Sequence, residues 1–254
     1  MKAYIAFTKK EGVEGIRTYK LFILLSVFFI LGIMNPIFAK ITPKLLASLT
    51  IEGMTLTIPE PTAIDSWMQF YKNVPQMGLI VLVIMFSGGM TGECSKGTFI
   101  NMITKGLKRS TIIFSKFTMS VCMWTISLAL CFMVSTYYTA YYWDIDGIGE
   151  ILQSVMCLWL FGVFLIAILL LMGTIVKSNY ACLLLVGSVV AILFLINMVP
   201  KLQDYNPIRL ASDNMSLITG EMVIADFGFS ICITIILTIL SLLGAIMVFN
   251  KKKL

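Results

Sequence analysis

Histidine is absent from this 254-residue sequence, and acids are scarce, with 13 Asp and Glu against 19 Lys and Arg. Without an imidazole the chain lacks the commonest metal ligand and the commonest acid–base group working near neutral pH. The six cysteines form no C-x-x-C pair; Cys122, Cys131, Cys157, Cys182 and Cys232 fall inside apolar runs and Cys94 at the edge of one. Zinc, iron–sulfur and haem sites therefore lack their usual ligand patterns, and no disulfide framework is expected. Charged residues make up only 13% of the chain, in short clusters between apolar runs, which argues against disorder and against nucleic-acid binding. A nucleotide-binding P-loop is also missing. It needs G-x-x-x-x-G-K-[ST], and the nearest stretch, from Gly92 to Gly97-Thr98-Phe99, has the glycine spacing without the lysine. Neither a catalytic residue nor a bound cofactor is expected in this chain itself.

What is abundant is apolar surface: 59% of residues are hydrophobic and the mean hydropathy is +0.94. A water-soluble domain of this length still exposes roughly a quarter of its unfolded-chain surface, so it could not hide so many apolar side chains. The reading is an all-α integral membrane protein. Six uncharged runs occur, at 21–39, 73–92, 117–143, 151–176, 178–200 and 227–250. Each meets the need for roughly 20 residues to cross about 30 Å of hydrocarbon. The second has the shortest apolar heart, but its Ser87-Gly88-Gly89 step suits close helix contact in lipid. No alternating ten-residue segments support a barrel.

Lys and Arg set the expected orientation. With the N-terminus placed inside, the inner side holds fourteen of them (Lys2, Lys9, Lys10, Arg17, Lys20, Lys96, Lys105, Lys108, Arg109, Lys116, Lys177, Lys251, Lys252 and Lys253) and the outer side five (Lys40, Lys44, Lys72, Lys201 and Arg209). Both termini are therefore expected in the cytoplasm. Tyr137, Tyr138, Tyr141, Tyr142 and Trp143 form the aromatic anchor expected at the outer end of the third span.

Four segments lie outside the spans. Residues 1–18 mix apolar and charged positions at helical spacing, as in a helix lying on the inner membrane surface, the alternative being a loose basic tail. Residues 40–72 form an outer loop broken at Pro43, Pro59 and Pro61; Asp65 then leads Trp67, Phe70, Tyr71 and Val74, the spacing of an interfacial helix feeding the second span. Residues 201–226 are turn-rich at Tyr205-Asn206-Pro207 and then weakly amphipathic, fitting a surface helix or a segment dipping into the outer leaflet. The inner loop 93–116 differs from a solvated linker, because Phe99, Ile100, Met102 and Ile103 can share one side of a short helix followed by basic residues. That pattern suits docking of a soluble partner. Glu93 stands where it could pair with Lys96 or Arg109.

On these residues the sequence resembles the permease subunits of ABC-2 type transporters. Glu93 closes the second span, Gly97-Thr98 follows four residues later, and an apolar stretch Phe99–Thr104 comes next. Arg109-Ser110 and then Lys116 lead into the third span. Six spans, an amphipathic N-terminal interface helix, inside termini and Asn206-Pro207 in the segment after span five agree, so the resemblance covers the whole chain. It implies an ABC-2 exporter-type fold in one transmembrane domain, 1–254, with 93–116 as a coupling loop. It also implies a second permease subunit, as homo- or heterodimer, and a separate cytoplasmic ABC ATPase subunit holding ATP and Mg. Docking of that ATPase would fall to Glu93, Gly97, Thr98, Phe99, Met102 and Arg109. Gly106 stands where such permeases often carry proline.

The resemblance favours export, and the uncharged spans favour a hydrophobic or amphipathic substrate, such as a peptide, lipid or drug-like molecule. The rivals are an ATP-independent secondary carrier or channel and a non-transporting membrane anchor or sensor. Ion-coupled carriers usually keep ionisable residues within the membrane, and these runs contain none. Asn35, Ser87, Thr125, Ser127, Ser135 and Thr174 are expected as helix-packing contacts, and the seventeen methionines as gap-fillers rather than copper ligands.

Overall fold

A computed structural model describes residues 2–48, 60–95, 97–104, 106–144 and 150–252, and the protein is helical throughout its regular structure among them. Helix α1 (Lys2–Arg17) turns at Tyr19, in the left-handed region at φ 57°, into α2 (Lys20–Ser48). Next come α3 (Ala63–Asn73), a π-helical turn (Val74–Gly78) and α4 (Leu79–Ser95), forming one passage. A short α5 (Thr98–Thr104) precedes α6 (Arg109–Tyr142), α7 (Ile151–Ile175) and α8 (Asn179–Asn197). Three short helices, α9 (Pro200–Gln203), α10 (Arg209–Ser212) and α11 (Asn214–Ile218), lead through a 3₁₀ turn (Ile224–Phe227) to α12 (Gly228–Lys251). Six of these passages are long and apolar enough to cross a membrane: 20–43, 63–95, 109–142, 151–175, 179–197 and 224–251.

The spans exceed the uncharged runs where a charge finds somewhere to go. Helix α2 continues through Lys40, whose ammonium lies 3.7 Å from the Tyr142 ring centroid. Helix α6 starts at Arg109 rather than 117 because Lys116 is buried beside two carboxylates. Proline inside a span leaves a carbonyl without its helical donor, and in lipid that carbonyl needs another. Pro36 would deprive the Gly32 carbonyl in this way, and the Ser135 hydroxyl donates to it at 3.0 Å. Pro75 is absorbed by the π turn, in which the Leu79 amide reaches back five residues to the Val74 carbonyl. Asn35 is buried and accepts from Asn73 Nδ2 at 2.8 Å, while the Ser66 and Thr139 hydroxyls meet at 2.7 Å. The mild polar residues thus tie neighbouring helices or bond within their own turn.

Two expectations are corrected. Trp67, Phe70, Tyr71 and Val74 do share one helical face, but that face is buried in the bundle core and does not lie on an interface. It is bulky and aromatic because it fills the space among α2, α6 and α7. Residues 201–226 form three short helices and a 3₁₀ turn rather than a lone surface helix. Ile208, Leu210, Leu217, Ile218 and Phe227 are buried, and α10 and α11 pack on α7 as a folded cap. In the 40–72 segment, residues 49–59, including Pro59, lie outside the described residues.

Helix α7 is the centre of the bundle, covered by α4, α6, α8 and α12. Its Gly162 faces Trp124, whose indole donates to the Trp159 carbonyl at 3.0 Å. A Cβ at 162 would stand 2.4 Å from Trp124 Cε2. A rigid ring fixed by a hydrogen bond has no easy retreat, so Gly162→Ala is expected to destabilise by roughly 3 kcal/mol. Thermal melting of the purified protein, followed by loss of the monodisperse gel-filtration peak, should show a lowered midpoint.

Candidate functional site

One end of the bundle gathers α1, the end of α4, α5, the start of α6 and the end of α12. Phe7, Met90, Phe99, Ile112, Ala245 and Phe249, one or two from each of these five elements, form a single buried cluster. Both chain ends therefore meet at the same pole, consistent with an even number of passages.

The segment after α4 is shaped by two glycines. Gly97 sits at φ +68°, a conformation open to glycine and strained for other residues. It lets the chain reverse, while the Thr98 hydroxyl donates to the Glu93 carbonyl at 3.0 Å and closes the turn. Beyond α5 stands Gly106, φ +87°, whose amide donates to the Ile103 carbonyl at 2.9 Å while the Leu107 amide donates to the Met102 carbonyl at 3.2 Å. This paired closure needs a left-handed residue with a free N–H. Proline, fixed near φ −65° and without an N–H, could not take position 106 here.

Above α5 lies a network of five charged side chains. Lys116, with its side chain only 5% exposed, donates to Glu11 Oε2 at 2.8 Å and Glu93 Oε1 at 2.7 Å. Lys10 contacts Glu11 at 3.0 Å, Glu14 at 2.6 Å and Glu93 at 3.2 Å. The network joins α1 to the end of α4 and the start of α6. Burial works against the charge on Lys10, but its bond to Glu14 and the nearby Glu11 outweigh this and hold the ammonium above the ordinary lysine range. Burial likewise disfavours charge on Glu14, yet the bond from Lys10 prevails and keeps its carboxyl below the ordinary range. Carboxylate oxygens of Glu11, Glu14 and Glu93 converge within 4.8 Å of one another. Lys10 and Lys116 offset two of the three negative charges and occupy the space among them, so the donor set is that of an ion-pair network.

The structure redistributes the residues singled out from the sequence. Glu93 does not pair with Arg109; its partners are Lys116 and Lys10, and Lys96 lies outside the described residues. Arg109 instead donates to the carbonyls of Phe249, Asn250 (3.0 Å) and Lys252 (2.9 Å), capping the C-terminal end of α12. Phe99 was expected on the docking face, but it is wholly buried, edge-on to Phe249 at 5.4 Å, with the Lys116 ammonium 5.7 Å from its ring centroid. An aromatic ring beside a buried cation is more stable inside than in water. Met102 is half-buried against the same cluster, and Ile100, 43% exposed, with Asn101 and Thr104 makes the outward face of α5. Lys10, Glu11 and Glu14, none of them among the site residues read from the sequence, complete the network; the spacing of Lys10 and Glu14 by one helical turn is the available signal.

Residues 55–254 match the model of a family described as "Protein of unknown function (DUF2705)". Over 241 residues the chain is 21% identical to the uncharacterized transmembrane protein YxlG of Bacillus subtilis (strain 168), with 93% of each chain covered. The match and the six apolar passages agree on a multi-span helical membrane protein. The family match includes all of the junction except α1, and on its extent this chain belongs to the DUF2705 family.

Proposed function

We propose that this protein is the membrane-spanning permease subunit of an ATP-driven transporter in the cell membrane, pairing with a second permease subunit and docking a separate cytoplasmic ATPase that binds ATP and Mg. The observation that carries this reading is α5, a short helix fixed at both ends by positive-φ glycines and wedged against three passages and α1. A part that receives motion from a soluble motor must be stiff and must connect to the spans. Force on the Ile100–Asn101–Thr104 face would pass through Phe99 to Phe249 of α12, and through Lys116 to α6, Glu93 of α4 and Glu11 of α1. In this reading the junction faces the cytoplasm, as the excess of Lys and Arg there favours. The chain itself contributes no nucleotide chemistry, and the uncharged spans favour outward movement of a hydrophobic or amphipathic substrate.

The test is tagged purification of the full chain from its native membrane in mild detergent, with assay of the pure material for a co-purifying ATP-hydrolysing subunit. Wild type should carry a stoichiometric ATPase, Ile100→Asp should lose it at least tenfold, and Glu93→Gln should retain it while losing substrate-stimulated hydrolysis. Ile100 is the appropriate contact to change because Phe99→Asp would place a charge in the buried cluster and confound docking with folding. A wild-type chain that purifies without any ATPase would sink the proposal.

A further inference from the structure

A cleft of about 780 Å³ lies among α4, α7 and α8. Both ends of α8 are fastened. At the junction pole Thr91 hydrogen-bonds Asn179, and the Cys182 thiol lies 3.7 Å from the Leu169 carbonyl. At the opposite pole Asn206 Nδ2 donates to the Leu193 carbonyl at 2.7 Å. The opening is thus built into the fold, held by polar contacts above and below.

Phe161 and Leu165 form its floor, and Ile80, Ile84 and Phe194, all more than half exposed, form its lips. The lips face outward from the bundle, so in a bilayer the cleft opens sideways into hydrocarbon. Its polar groups, Lys72, Gln76 and Ser212 with Tyr71, all gather at the pole away from the junction. From Gln76 to Ile84 the wall is about 12 Å long, and from Leu183 to Phe194 about 16 Å, at about 1.5 Å per helical residue. That is the depth of one leaflet, half of about 30 Å. Lys72 is exposed at the rim and has no hydrogen-bond or ion-pair partner among the described residues; no carboxylate lines the cleft. A cation at headgroup level over an apolar slot of leaflet depth matches one molecular shape, an acyl chain below a negative headgroup. A second copy docked by twofold symmetry would instead set lysine against lysine.

We infer that the cleft between α4, α7 and α8 binds one acyl chain of an anionic phospholipid, with the headgroup phosphate at Lys72. The inference stands independently of the permease reading, since it needs only a bilayer. The headgroup gives selectivity through charge, and the slot gives retention through apolar contact.

The experiment uses the full chain in mild detergent, given phosphatidylglycerol or phosphatidylcholine of equal chain length and examined by native mass spectrometry. Wild type should retain one phosphatidylglycerol per chain and prefer it about fivefold, the attraction of one lysine for an anionic headgroup. Lys72→Gln, an exposed change that leaves the core intact, should abolish the preference but still hold either lipid. Val190→Trp, which fills the slot, should release both. Equal retention of the two lipids by wild type, or an unchanged preference in Lys72→Gln, would overturn the inference. So would cross-linking of p-benzoylphenylalanine at Ile84 to a second copy of the chain rather than to lipid.

Discussion

Lys116→Met should detach α1 from the bundle and destabilise the protein by about 3–5 kcal/mol, the range for removing one partner of a buried ion pair. Lys116 stands between Glu11 and Glu93, whose side chains are only 11% and 12% exposed. Without it, two carboxylates from different helices face each other with Lys10 alone to offset them, and Lys10 is held mainly by α1 itself through Glu11 and Glu14. Methionine preserves the length and apolar contacts of the lysine stem, so the loss reports charge rather than packing. The measurement is limited proteolysis beside thermal melting. Cleavage after Arg17 or Lys20 should accelerate many-fold in the variant, and Lys116→Arg should largely restore protection. Wild-type protection in Lys116→Met would show that the remaining contacts, the packing of Phe7 and Gly15, the Tyr4–Thr118 hydrogen bond and the Lys10–Glu93 pair, suffice to hold α1.

Within α1 itself, the Lys10–Glu14 pair depends on pH in a determined direction. Glu14 has a lowered folded-state pKa, so its contribution is complete above the ordinary carboxylate range and is lost as pH falls through the lowered value. Lys10 has a raised one, so its contribution is complete below the ordinary lysine value and is lost only as pH rises past it. The Lys10–Glu14 pair within α1 therefore contributes fully between about pH 5 and pH 10.

Passages were legible in the sequence because an uncharged run of about 20 residues has few other fates. Their ends were less so, since Lys40 and Lys116 look like stops until their partners, Tyr142 and the pair Glu11 and Glu93, are known. Those partners are 102, 105 and 23 positions away, beyond any local pattern. Around α5 the sequence showed an apolar helix but not its polarity. Phe99 and Ile100 are adjacent, equally apolar and assigned to one side, yet one is wholly buried and the other 43% exposed. Periodicity over seven residues cannot choose which face meets the bundle, and Phe249, which decides it, lies 150 positions later. Arg109 shows the complementary limit. As a basic residue at a span end it reads as an anchor, whereas its function in the fold is to satisfy α12 carbonyls that would otherwise lack donors.

Arg209→Met should loosen the cap over the far pole by about 2–3 kcal/mol, the scale of hydrogen bonds to a charged group. By count Arg209 is one of the five cations expected on the outer side, and its surroundings give it a place in the fold. The guanidinium, 6% exposed, donates to Asp204 at 2.7 Å, lies 3.4 Å from Asp213 and donates to the Asp226 carbonyl at 3.0 Å. It also stacks 4.8 Å from the Phe227 ring centroid. One side chain thus fastens α10 to the 3₁₀ turn that opens α12, and the Ser230 hydroxyl, donating to the Asp204 carbonyl at 2.8 Å, closes the circuit. The cost is smaller than at Lys116 because Asp204, 63% exposed, can return to water when its partner is removed. Arg209→Lys should recover only part of the stability, since an ammonium cannot serve three acceptors in the plane of a fork or stack on Phe227. Hydrogen exchange across 204–227, compared with exchange at the junction pole, distinguishes local loosening from global destabilisation. Faster exchange confined to the cap is expected, and equal acceleration at both poles would show that the cap and the bundle unfold as one unit.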